Sequence, residues 1–208
     1  MKEDGVSGGP SERFHIPNGA RLTMASLGQL IASTTRRLRL PSKQVAPGLV
    51  HNVTTPLMVT GWADGPDSPI VFYNPGFDGK FTKAELTAMM VHELGHWQLR
   101  HMAARSELSD LAGPITQWTA ESLAICRRQE LEADRWAAEN GFGRQLASAL
   151  EKIQQPGFVE SALYGAAIEN NRRAVEELRA LGIGKTHPSL DHRIQVLRGL
   201  AANDISLG

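Results

Sequence analysis

The sequence predicts an α+β domain, with a small β-sheet beside one long helix and a mostly helical C-terminal half. Three observations predict it. Residues 45–73 hold short β-branched pieces punctuated by proline and glycine. Residues 86–94 carry apolar positions at helical spacing behind a capping signal at Thr82 and Glu85. After His101 strand character is lost. The order helix, sheet, helices is that of an α+β fold.

Residues 1–13 are polar and glycine-rich, without the apolar run of a signal peptide, and read as a disordered leader. Residues 14–208 read as one domain, in which 14–104 supply the first helix, the sheet and the long helix, and 105–208 the helical remainder. Over 21–40, Leu27, Leu30, Ile31 and Leu38 recur at helical spacing toward a core, and Pro41 closes the helix. Strands are expected over 48–54, 57–60 and 70–73, with a turn cluster at 64–69. Residues 57–62 are the candidate for holding an extended peptide by strand addition.

Thr82 and Glu85 then form a capping box, opening a helix of about five turns. Downstream, Gly113-Pro114 breaks the chain, a helix runs from about 116 to 138, and Asn140-Gly141 ends it. Further helices are expected up to 154, over 159–168 and 172–181, and from 190 to 202.

Lys plus Arg and Asp plus Glu both number 22, so the formal net charge is zero and nothing points to nucleic acid or an anionic membrane. The single cysteine, Cys126, rules out an internal disulfide. No window reaches the roughly 18 apolar residues of a membrane span. The expectation is a soluble, cytoplasmic protein.

Chemistry concentrates in His92-Glu93-Leu94-Gly95-His96, an H-E-x-x-H pattern. Residues four apart share a helix face, about 6 Å along the axis, so both imidazoles can grip one metal ion. Glu93 beside them can take a proton from a metal-activated water. Gly95 would let another backbone or the substrate come close. A catalytic zinc site needs a third protein ligand. A histidine just downstream is excluded, because Met102 stands where it would lie; His101 is one place off and reads as a helix-end cap. The other source is a glutamate on a later helix. Glu130 and Asp134 are four apart: Glu130 as ligand, Asp134 accepting a liganding histidine's second N–H. Glu132 points to the other side of that helix. Alone, such a pair is commonly a solvated face.

Val91-His92-Glu93-Leu94-Gly95-His96, Glu130 to Arg135, Thr186-His187-Pro188-Ser189 and Arg193-Ile194 together resemble metallopeptidase family 48. These are gluzincin-type endopeptidases that include HtpX-like and CAAX prenyl proteases; the likeness spans roughly 57–197. It implies a zincin-like fold and one zinc held by His92, His96 and Glu130. Glu93 would be the general base, and His187 and Arg193 would lie near the substrate carbonyl. The implied substrate is a protein or peptide. Members with membrane helices are the more distant comparison. Two rival functions are a regulatory metalloprotease with one dedicated target and a non-catalytic, zinc-stabilised interaction module. The presence of Glu93 speaks against the second, because a structural site has no use for a base.

Overall fold

The computed structural model describes residues 22–41, 45–50, 58–62, 68–112, 119–156, 158 and 186–203. The expected leader, the expected helices over 159–168 and 172–181, and the Gly113-Pro114 break lie outside the described residues.

Helix α1 (Met24–Arg37) starts at Thr23, whose side chain accepts from the Ser26 N–H while Ser26 Oγ accepts from the Thr23 N–H. Leu27, Leu30 and Ile31 are buried, and Leu38 packs on the core at its end. Strands β1 (Ala46–Leu49), β2 (Met58–Trp62) and β3 (Pro69–Tyr73) form a mixed sheet in the order β1-β3-β2. β1 runs parallel to β3, and β2 antiparallel. The first strand begins two residues earlier than the sequence suggests. Alternation along β3 buries Pro69, Val71 and Tyr73 against the helices.

Helix α2 (Lys83–Gln98) carries the motif. Its capping box forms as expected: Thr82 Oγ1 accepts from the Glu85 N–H at 3.2 Å, and Glu85 Oε2 from the Thr82 N–H at 2.7 Å. Glu85 also ties α2 to α5 (Gly143–Gln154), accepting from Ser148 Oγ at 2.8 Å and Lys152 Nζ at 2.7 Å. Leu86, Ala88, Met89, Met90, Val91 and Leu94 are all buried, so apolar surface surrounds most of the helix. It packs on β2, β3 and α1, and also on α5 and α4 (Ala120–Glu139). It therefore runs through the middle of the molecule.

α2 stops at Leu99, and Arg100 takes a left-handed conformation, φ 58°. Helix α3 (His101–Ala112) then leaves in a new direction. α4 starts behind the Thr119 cap, later than expected, and ends where Gly141 supplies φ 82°. The last described helix, α6 (Leu190–Asn203), buries Ile194 and Leu197 and packs against α4 and α5. No described helix is long and apolar enough to cross a membrane.

Candidate metal centre

The spacing of His92 and His96 puts both rings on the α2 face that meets α4, with their Nε2 atoms 3.2 Å apart. Glu130 of α4 completes the corner: Oε2 lies 3.4 Å from His92 Nε2 and Oε1 3.4 Å from His96 Nε2. The three residues are only 6%, 3% and 2% exposed. Among the described residues this is the one cluster of three such donors. Zinc bonds of about 2.0–2.1 Å in a tetrahedron require ligand atoms about 3.3–3.4 Å apart. The imidazole nitrogens at 3.2 Å, and each of them 3.4 Å from its own Glu130 oxygen, come close to that spacing. One ligand atom from each of the three residues lies within 4.8 Å of the others, and two imidazoles with one carboxylate suit zinc chemically. The site is built for a single divalent ion.

Gly95 lets the two helices approach. A Cβ there would meet Trp136 Cε3 at 3.1 Å and Ala133 Cα at 3.5 Å, both on α4. The close neighbour anticipated at this glycine is therefore the helix that carries Glu130.

Each ligand has partners behind it. His92 Nδ1 stands 2.9 Å from Asp134 Oδ1, at ion-pair distance though without the alignment of a formed hydrogen bond. Asp134 is fully buried and gripped by Arg193 of α6, whose Nε and Nη2 donate to its two oxygens at 2.7 Å each. Arg193 is itself buried, and its Nη1 lies 3.5 Å from Glu130 Oε2. The guanidinium thus faces the two carboxylates directly. Arg105 of α3 donates to Glu130 Oε1 at 2.7 Å and, through Nε, to Gln129 at 2.8 Å. Nothing in the spacing of the sequence signals that contact, because it depends on where α3 turns.

His101 corrects an expectation. Instead of capping a helix end, it opens α3 with its ring buried behind His96, the two Nδ1 atoms 3.0 Å apart. Its Nε2 lies 3.1 Å from Glu132 Oε2. His187, just before α6, approaches from outside: its side chain is 46% exposed, with Nε2 3.5 Å from Glu130 Oε1 and Nδ1 2.9 Å from Thr186 Oγ1. Glu93 is partly buried beside His92.

The electrostatics follow from this packing. Burial alone would raise the Glu130 carboxyl, but His92 and His96 hold it well below the usual range. Burial likewise opposes ionisation of Asp134, and Arg193 and His92 outweigh it. Burial drives His96 down to about 4. It pulls His92 the same way, yet Asp134 and Glu130 prevail and push that ring up to about 9. Burial opposes the charge on Arg193 too, and Asp134, Glu130 and Glu93 more than offset it. The corner at His92 favours positive charge.

A search of curated proteins finds no match to the chain. The family model described as Peptidase family M48 matches it over residues 59–123 and 108–201, together well over half of its 208 residues.

Proposed function

The chain belongs to peptidase family M48, and from that membership we propose how its residues share the work of a zinc metalloendopeptidase acting on proteins or peptides. His92, His96 and Glu130 hold the ion. Bound there, zinc supplies Lewis acidity that polarises a carbonyl and lowers the pKa of water to about 7. Glu93 is the general base, taking a proton from the attacking water and delivering it to the leaving nitrogen. His187, reached from solvent and lying at the rim of the corner, steadies the oxyanion; such a donor is typically worth about 3–4 kcal/mol of barrier. Asp134 orients His92 from behind. Arg193 contributes through the charge and position it gives to Asp134 and Glu130.

Among the described residues β2 lies at an edge of the sheet and packs against α2, which supports docking of the substrate as an added strand. A cytoplasmic location and one catalytic domain over residues 14–208 belong to the same reading.

The observation that carries the proposal is the convergence of three buried donors, two imidazoles and one carboxylate, immediately beside Glu93. Glu93→Gln tests it. The variant is expected to keep its zinc and lose about 10²–10⁴-fold in hydrolysis of casein or a peptide library. Cleavage at the parent rate would reject Glu93 as the base.

A further inference from the structure

His92 has a carboxylate behind it. His96 has a second imidazole, and behind that a carboxylate on the surface. The protonation of this chain follows from its inner end. A metal takes the lone pair of His96 Nε2, so the ring proton sits on Nδ1 and Nδ1 is a donor. His101 Nδ1, at 3.0 Å, must then accept, which leaves its own proton on Nε2. That N–H points to Glu132 Oε2 at 3.1 Å, an acceptor. Every hydrogen bond is satisfied by one arrangement.

We propose that His101 and Glu132 are positioning residues of the metal centre, a relay that locks the tautomer and ring orientation of His96. The inference rests on the metal-centre reading given above. It also accounts for the left-handed Arg100. On an unbroken helix, residues five apart lie roughly 140° apart around the axis, so the rings of His96 and His101 would diverge. The break at Arg100 turns α3 so that His101 folds back behind His96, their ring centroids 5.1 Å apart and planes inclined at 68°. His101 is 5% exposed, so solvent does not readily replace it. The Glu132 side chain is 45% exposed, and the relay ends at the surface.

The experiment is zinc affinity by chelator competition on the full chain, with circular dichroism as a check on folding. His101→Leu fills the space and removes the acceptor; zinc binding should weaken by about 10–100-fold, as for other outer partners of metal ligands. His101→Asn restores a carbonyl acceptor for the His96 N–H and should recover most of that loss. Equal affinity in the parent and the leucine variant overturns the relay, as does an asparagine variant no better than leucine. Imidazole nitrogen NMR of the zinc-loaded parent gives the answer without any substitution. Protons on His96 Nδ1 and His101 Nε2 are expected, and a proton on His101 Nδ1 overturns the proposal. A parent that takes up no zinc overturns the metal-centre reading itself, whereas a zinc-loaded parent matched by His101→Leu overturns the relay alone.

Discussion

At the scale of single residues, the third ligand is the sharpest point of difference between a metal centre and a buried histidine pair. Glu130 is the only donor of the three that comes from outside α2. Glu130→Ala leaves two imidazoles and an open corner. Zinc binding should fall by more than the roughly 10–100-fold typical of an outer-partner change. The check is zinc content after dialysis against a chelator; retention equal to the parent rejects Glu130 as a ligand. The ligand set was legible in the sequence because each half is a local pattern, four apart on one helical face. The partners behind it were less so. Asp134 shares the Glu130 face and could be read, but Arg105 and His101 are brought in by a bend at a non-glycine residue with positive φ. No glycine or proline marks that bend, and only the five-residue interval between His96 and His101 hints at it.

At the scale of elements, two contacts fix how α2 sits, and each can be tested. Glu85 joins the N-terminus of α2 to α5 through Lys152 and Ser148. Burial opposes its charge, yet Lys152, Thr82 and Ser148 together hold its carboxyl below the ordinary 4.5. A carboxyl with a lower folded than unfolded pKa stabilises the fold fully above the unfolded value, and that contribution is lost as pH falls through the folded one. Glu85→Gln should therefore cost about 1–3 kcal/mol at pH 7, and the gap to the parent should narrow below about pH 4.5. Urea melts at both pH values measure this; a gap that widens in acid contradicts the assignment. Gly95 sets the spacing of α2 and α4. Gly95→Leu should cost about 1–3 kcal/mol by overpacking and weaken zinc binding as well, because the displaced helix carries Glu130. A stable variant with parental zinc affinity would show that the contact with Trp136 and Ala133 yields freely. The capping box of α2 and the apolar spacing along α1 and α2 were readable because they are local. The pairing order of the sheet was not, since short strands 48–54, 57–60 and 70–73 carry no signal for which edge meets which. The start of α4 was placed some four residues early because the Thr119 cap lies inside a mixed stretch.

At the scale of the whole molecule, the ion joins the central helix to the helical half, so its binding energy adds to that of folding. With free zinc at 100 times Kd the gain is about 2.7 kcal/mol. For a chain of this size that corresponds to roughly 5–10 °C in melting temperature. A thermal melt with zinc and with a chelator should show that separation, and coincident curves would mean that the ion does not bridge the two parts. The bidentate bond from Arg193 to Asp134 has a further consequence, in time. A ribosome releases His92 and His96 about a hundred residues before Arg193, which at about 5–20 residues per second is roughly 5–20 s. During that interval the nascent polypeptide displays its imidazoles without the guanidinium that holds their carboxylate frame in place. The charged frame behind the metal corner is therefore the last part of it to be made, complete only once α6 has followed α4 off the ribosome.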